Sequence, residues 1–563
     1  MGYLGASLHC INDGVATDPA CGSGNFLTET YISLRRLENE ILNELQGGQI
    51  VLGEAINPIQ VSISQFYGIE INDFAVTVAK TALWIAESQM MKETEDIVHM
   101  NLEFLPLKSY ANITEGNALR IDWESVVSKS ELNYIMGNPP FVGYSLQTKE
   151  QKADIQSVYV DEKDKVYKTA GKVDYVACWY FKAAKYIMNT LIKTAFVSTN
   201  SITQGEQVEA VWKPIYERFG IQIEFAHRTF RWDSEASLKA HVHCVIIGFA
   251  NAMNNSKKKI YQENNILIVD SINPYLLAGD AVFIESRKTP ICDVPQILKG
   301  SSPVDGGHLL LSEAERDDLL LKNPSAEKFV RRFYGAKEYL HNIPRYCLWL
   351  EGILPEELNK LSYVKERVIA VKKFRSESTK EATRKYAEYP LRFMEIRQPD
   401  SDYILIPRHS SENRRYIPMG FLSSNEICGD ANIMMPNATL YHFGVLMSNV
   451  HMAWVRAVCE RLEMRYRYSN DIVYNNFPWC SPSDEQRLKI ERTAQEILDV
   501  RALYPNSSLS DLYDEISMPP ELRKAHTQND KAVMQAYGFS IKDTTEESCV
   551  AELMRIYRQL TSI

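Results

Sequence analysis

Hydrophobic and polar positions along the first half of this chain switch repeatedly between a strand period and a helix period. Leu27, Tyr31, Leu34, Leu37, Ile41 and Leu45 recur at helical spacing, which predicts a long helix with one face against a sheet. Phe66-Tyr67-Gly68-Ile69-Glu70-Ile71 is a short apolar run ending near a carboxylate, after which Val78, Ala79, Ala82, Leu83 and Ala86 share a helical face. Tyr134-Ile135-Met136, Ala195-Phe196-Val197 and His241 to Phe249 read as further strands, the last followed by the polar stretch Asn251 to Lys259. Strands separated by helices predict an α/β, Rossmann-like unit with a mostly parallel sheet and helices on both faces.

From about Ser286 the regularity gives way to a mixed α+β pattern, and beyond Pro482 the chain is charged and helical, with Met518-Pro519-Pro520-Glu521-Leu522 opening a helix. These shifts divide the chain into 1–285, 286–480 and 481–563. With 563 residues and 45% apolar content, more than one core is expected. The ten cysteines are scattered without a Cys-x-x-Cys pair, so neither a disulfide framework nor a cysteine zinc site is indicated. Apolar runs stay well short of the roughly 20 residues of a membrane helix, and Met1 to Ala20 lacks a signal-peptide order; the expectation is a cytoplasmic protein with no membrane contact.

A net charge of −10 argues against nucleic acid as a partner, but the sum hides a local excess. Lys360 to Tyr416 holds fourteen Lys or Arg against eight Asp or Glu, interleaved with Tyr363, Phe374, Tyr386, Tyr389, Phe393 and Tyr403. Such a stretch suits phosphate contact combined with base stacking; a solvated helix face is the alternative.

Two short segments carry chemistry. In Asp18-Pro19-Ala20-Cys21-Gly22-Ser23-Gly24-Asn25-Phe26, a strand ending in an acid runs through a Gly-x-Gly turn into a helix, which lets backbone approach a nucleotide-like ligand. In Asn138-Pro139-Pro140-Phe141, the prolines stiffen a turn, the Asn oxygen and a proline carbonyl can accept two N–H bonds, and Phe offers a stacking face. Either segment alone has an ordinary structural explanation; in series they are far more specific. Elsewhere, His241-x-His243-Cys244 lacks a third metal ligand nearby and reads as strand packing, so no metal is expected. Ser198 and Ser201 lack the setting of a serine nucleophile.

The two segments resemble those of S-adenosylmethionine-dependent amino-group methyltransferases. Asp18 to Phe26, Phe66 to Ile71, Gly116-Asn117-Ala118, Asn138 to Phe141, Val197 to Gly205 and Ala226 to Trp232 together resemble the large adenine-specific DNA methyltransferases of fused type II restriction-modification enzymes. Arg414 to Phe421, Pro436 to Tyr441, Ser448 to Trp454 and Tyr474 to Trp479 are similar to that family's target-recognition region. The resemblance implies N6-methylation of adenine in a defined duplex sequence. It implies cofactor contacts from Asp18, Ala20, Gly22, Gly24, Phe26, Glu70, Ile71, Asn117 and Ala118, with Asp18 and the glycine turn at the methionine end, Glu70 at the ribose and Asn117 at the adenine edge. Asn138, Pro139, Pro140 and Phe141 would hold the target amine, and Phe230 would stack on the second face of a flipped base.

Members of that family carry an endonuclease domain ahead of the cofactor strand, whereas Met1 to Thr17 alone precede Asp18 here. The expectation is a chain that does not cut DNA by itself, with a separate nuclease subunit as a possible partner. Methylation of another planar amine (cytosine N4, RNA or protein glutamine) and a non-catalytic DNA-binding specificity subunit or remnant remain open on the sequence.

Overall fold

Five strands lie parallel and in the order expected of strand-helix repeats: β3 (Asn112–Glu115), β2 (Phe66–Glu70), β1 (Ala16–Asp18), β4 (Tyr134–Gly137) and β5 (Lys193–Thr199). They belong to one sheet of nine in a computed structural model that describes residues 14–46, 59–98, 112–232, 242–252, 257–263 and 265–561. The order continues through β7 (Val242–Asn251), β6 (Ile221–Trp232), β8 (Lys258–Gln262) and β9 (Asn265–Val269). β7 runs antiparallel to both β5 and β6, so the sheet is parallel over its first five strands and mixed beyond them, where β6 and β8 pair parallel and β8 and β9 antiparallel. The segment holding Phe230 is itself the twelve-residue β6. His241 lies outside the described residues.

The first helix, α1 (Asn25–Gln46), packs with α2 (Asp73–Val98) through a surface that is only half apolar. Leu27 and Tyr31 are buried as the periodicity predicts, but Leu37 is 44% exposed. In its place the buried face carries Arg35, Glu38 and Asn39. Arg35 pairs with Glu38 and donates to Thr94 at 2.7 Å, and Thr94 donates to Asn39 at 2.8 Å. A hydrophobic count places the helix but misjudges its face, because a buried charge is tolerated when it is paired and hydrogen-bonded.

The chain divides into two compact units, residues 1–283 and 284–563. In the second, Tyr403–Pro407 and Asn432–Pro436 pair antiparallel at the centre of a four-stranded sheet, and a second four-stranded sheet is built around Val330–Tyr334 and Arg345–Leu348. The helices of the last eighty residues belong to the same unit: Asp484–Ala502 packs on Leu440–Leu446 and Pro520–Ala536, and Glu546–Thr561 packs on Asn449–Val458.

The basic, aromatic stretch from Lys360 to Tyr416 is mostly exposed in its cations, with a few buried residues that anchor it. Phe393, Tyr403 and Tyr416 are buried, and Arg375 is fully buried, its guanidinium donating to the carbonyls of Pro303, Val304, Tyr389 and Arg392. Arg367, Arg392 and Arg397 pair with Glu315, Glu351 and Glu395. Exposed along the stretch are Lys360, Lys365, Lys372, Lys373, Lys380, Arg384, Lys385, Arg392, Arg397 and Arg415, with Phe374 and Tyr389.

Candidate functional site

β1 ends at Asp18, and the chain then turns sharply into α1. The turn is built by hydrogen bonds from Ala20 N to the Asp18 carboxylate (2.9 Å) and from Gly24 N to the Cys21 carbonyl (2.8 Å). Gly22 and Gly24 sit at φ +54° and +82°, left-handed backbone that other residues adopt at a cost. A Cβ at Gly24 would also lie 3.0 Å from Ala79 Cβ on α2. Gly22 N donates 2.9 Å to Glu70 Oε2 at the tip of β2, and Asn72 N donates 2.9 Å to Oε1. One carboxylate therefore joins the first two strand-helix turns, and its remaining lone pairs are free for ligand hydroxyls.

Above these turns, at the carboxyl ends of β1 to β4, opens a cavity of about 630 Å³. Open parallel sheets bind ligands at this edge, and the size suits a nucleoside-sized molecule. Pro19 and Ala20 line it from the first turn, Ile69, Glu70 and Ile71 from the second, Gly116, Asn117, Ala118 and Arg120 from the third, and Asn138 and Pro140 from the fourth. Of the residues singled out in the sequence, Ala20, Glu70, Ile71, Asn117, Ala118, Asn138 and Pro140 therefore share one wall.

Asp18 is not part of that wall. It is 1% exposed beneath the turn, and burial pushes its carboxyl up to about 7, with the Ala20 hydrogen bond opposing and the Glu70 charge adding to the rise. It acts as the support of the turn. Gly22, Gly24 and Phe26 likewise shape the turn without lining the cavity.

The third loop is held more tightly than its sequence indicates. Asn117 Oδ1 accepts from Leu119 N at 2.9 Å, while Asn117 Nδ2 donates to Asp154 at 3.1 Å. Asp154 is nearly buried on α3 (Lys149–Val158) and also accepts from Arg120 Nε (2.7 Å) and Tyr175 OH (2.8 Å). Burial works against its charge, yet those three donors hold the carboxyl below the usual carboxylate range. Beneath the loop, Lys182 on α4 (Ala177–Ile187) donates to the carbonyls of Ala118, Leu119 and Ile121; burial draws its ammonium down to about 8. Glu150, Gln151, Asp154, Tyr175 and Trp179 complete the lining. None of these is visible in the sequence as a site residue. The start of α3 is legible, since Thr148 and Gln151 form a capping box, but nothing local points its Asp154 at the cavity.

In the fourth turn Asn138 and Pro140 are exposed at the cavity, Pro139 is buried and Phe141 is half-buried outside the lining. The chain beyond is clamped. Tyr175 N donates to the Val142 carbonyl (2.9 Å), Tyr144 N to Asp174 Oδ1 (3.0 Å) and Gln147 Nε2 to the Val173 carbonyl (2.9 Å). Phe230 is outside the lining too; it lies in β6 beyond a bulge, with the His227 and Trp232 rings each 6.3 Å away. Among the described residues, no three His, Cys, Asp or Glu side chains gather as metal ligands.

Comparison with known proteins accounts for this arrangement. Residues 6–262 match the description "MmeI, DNA-methyltransferase domain", 278–481 match "MmeI, target recognition domain" and 482–563 match "MmeI, C-terminal domain". A solved structure described as the type IIL restriction-modification enzyme MmeI in complex with DNA is 44% identical, covers 100% of this chain and 75% of its own, and superposes with a TM-score of 0.88. The chain belongs to the MmeI family. DNA methyltransferase A of Bacillus subtilis (strain 168) is 40% identical over 548 residues, which is 97% of this chain; the chain spans 61% of the length of that relative.

Family membership gives the second unit's motifs their meaning. Most of the strings that resemble a recognition region are framework: Asn475 and Asn476 donate to the carbonyls of Arg287 and Glu285, Tyr474 OH donates to the Pro295 carbonyl at 2.6 Å, and Tyr416 OH donates to Asp530 at 2.6 Å. In this chain the recognition-like strings are therefore legible in the sequence through the core that they build. No helix among the described residues is long and apolar enough to cross a membrane.

Proposed function

We propose that this chain transfers a methyl group from S-adenosylmethionine to the N6 amine of an adenine rotated out of duplex DNA at a defined sequence. The observation that carries the reading is the shared wall: Glu70 and Asn117 meet Asn138 and Pro140 around one cavity of about 630 Å³. The donor set fits the cofactor. Glu70 offers acceptors for ribose hydroxyls, the Asn117 to Ala118 loop a polar edge for adenine, Pro19 and Ala20 the face of the first turn for the methionine end, with open space beside Gly22, and Tyr175 and Trp179 aromatic walls. Bound there, S-adenosylmethionine supplies an electrophilic methyl.

An exocyclic base amine is a weak nucleophile because its lone pair is delocalised into the ring. The Asn138 oxygen and the Pro139 carbonyl accept its two hydrogens and draw the nitrogen toward tetrahedral geometry, which localises the lone pair for attack. Phe141 stacks on the extruded ring, and Phe230 is proposed for its other face. The match of residues 278–481 to a target-recognition domain favours duplex DNA over RNA or protein as the substrate.

The same reading makes the chain part of a restriction-modification system, working in the cytoplasm with a nuclease supplied by a separate subunit as an expected partner; co-purification from the native source tests that association. The decisive experiment is transfer of labelled methyl from S-adenosylmethionine to mixed-sequence duplex DNA, followed by nucleoside analysis. N6-methyladenine supports the reading, and label in cytosine, RNA or protein replaces it.

A further inference from the structure

Two consecutive residues, Asp174 and Tyr175, touch both halves of the site. On the amine side, Asp174 Oδ1 accepts from Tyr144 N (3.0 Å) and Tyr175 N donates to the Val142 carbonyl (2.9 Å), which fixes the chain directly after Asn138-Pro139-Pro140-Phe141. On the cofactor side, Tyr175 OH donates to Asp154 Oδ2 (2.8 Å), and the same oxygen accepts from Asn117 Nδ2 (3.1 Å). The segment is itself well anchored. Ser201 Oγ donates to Asp174 Oδ2 (2.6 Å), Asp174 N donates to Gln207 Oε1 (3.2 Å), and the Tyr175 ring meets Trp179 edge-on at 5.2 Å. Trp179 in turn donates from Nε1 to the Pro19 carbonyl at 3.0 Å, in the first turn.

Asp154 also decides how Asn117 presents its amide. Leu119 N can only donate and the carboxylate can only accept, so the Asn117 oxygen must face the loop and its nitrogen Asp154. Losing Asp154 would leave the Tyr175 hydroxyl and Asn117 Nδ2 without this acceptor and free that amide to turn, whereas losing the Tyr175 hydroxyl would cut the link between Asp154 and the Val142 side while leaving Asn117 and Arg120 on the carboxylate. Any ligand that engages the Asn117 loop thereby bears on Asp154, then on Tyr175, and through its main chain on Val142.

We infer that Tyr175, acting through Asp154, is a positioning residue that couples occupancy of the cofactor's adenine end to the turn that grips the target base. The inference rests on the function proposed above. Coupling of this kind is reciprocal: a ligand in one half tightens binding in the other by the same factor in either direction.

The test uses the full chain, S-adenosylhomocysteine as an unreactive cofactor probe, and a duplex carrying the site mapped by methyl transfer. The dissociation constant for DNA is measured with and without the probe, and that for the probe with and without DNA. The wild-type chain is expected to bind each ligand more tightly in the presence of the other. Tyr175→Phe, which keeps the ring and the main-chain bond, is expected to reduce that factor about ten-fold, the scale of one hydrogen bond to a carboxylate; Asp154→Asn should do the same. Variants that weaken both binary affinities yet keep the wild-type coupling factor would reduce Tyr175 to a local support and overturn the inference. Absence of coupling in the wild-type chain overturns it as well. A wild-type chain that binds no probe at all overturns the proposed function itself, a distinct result.

Discussion

A Cβ placed on Gly137 would lie 2.4 Å from the Asp18 carboxylate. The strand that leads into the amine-gripping turn thus runs flush against the acid that supports the cofactor turn, as the parallel pairing of β1 with β4 requires. Gly137→Ala should accordingly push two turns apart at once. We expect a loss of about 1–3 kcal/mol in stability, the cost of overpacking, together with weaker cofactor binding. Thermal unfolding and calorimetry with S-adenosylhomocysteine check both; unaltered cofactor affinity would mean that the two turns tolerate separation.

Asn138→Ala should leave cofactor binding largely intact and cut turnover by at least about a hundred-fold, because it removes an acceptor for the target amine and touches nothing in the first two turns. Single-turnover methyl transfer beside a binding titration separates the two effects. Unchanged turnover would remove Asn138 from the chemistry.

Asp18 makes stability depend on pH in an unusual sense for a carboxyl. Its proton leaves the unfolded chain near 3.8 and the folded protein only near 7. Between those values the folded state holds the extra proton, so this group's contribution falls as pH rises, by up to about 1.4 kcal/mol per pH unit. Asp18→Asn keeps an acceptor for Ala20 N and should remove that slope. Denaturant unfolding of both proteins across pH 4 to 8 should show their stability difference growing with pH in favour of the variant; parallel curves would count against a protonated Asp18.

In the second unit, Arg375→Lys keeps the charge but cannot reach the carbonyls of Pro303, Val304, Tyr389 and Arg392 together. A loss of about 3 kcal/mol is expected, since buried acceptors are left unpaired. The slope of DNA affinity against salt should not change, because a buried guanidinium neutralises no phosphate. A shallower slope in the variant would place Arg375 at the DNA instead.

Local signals were enough where the chemistry is local. A strand, a Gly-x-Gly turn and a helix within about thirty residues announce the first turn, and Asn138-Pro139-Pro140-Phe141 carries its own stiffness and its own acceptors. Leu37 and Arg375 show the limit. A leucine at the right spacing is exposed, and an arginine in a basic run is fully buried, because composition cannot distinguish a cation that meets solvent from one that meets main-chain carbonyls.

The sequence by itself determined the period of the strands and helices, the glycine turn, the proline-stiffened grip and the family to which they belong, all properties written within a few tens of residues. Tertiary structure alone decided that β7 runs antiparallel between β5 and β6, that Asp18 lies under the turn while Glu70 joins it to the next, and that Asp154 and Tyr175 stand at the cavity. The physical reason is separation along the chain. Asn117 and Tyr175 are 58 residues apart yet share one carboxylate oxygen on a third element, and only the packing of the sheet's loops brings such groups within hydrogen-bond reach.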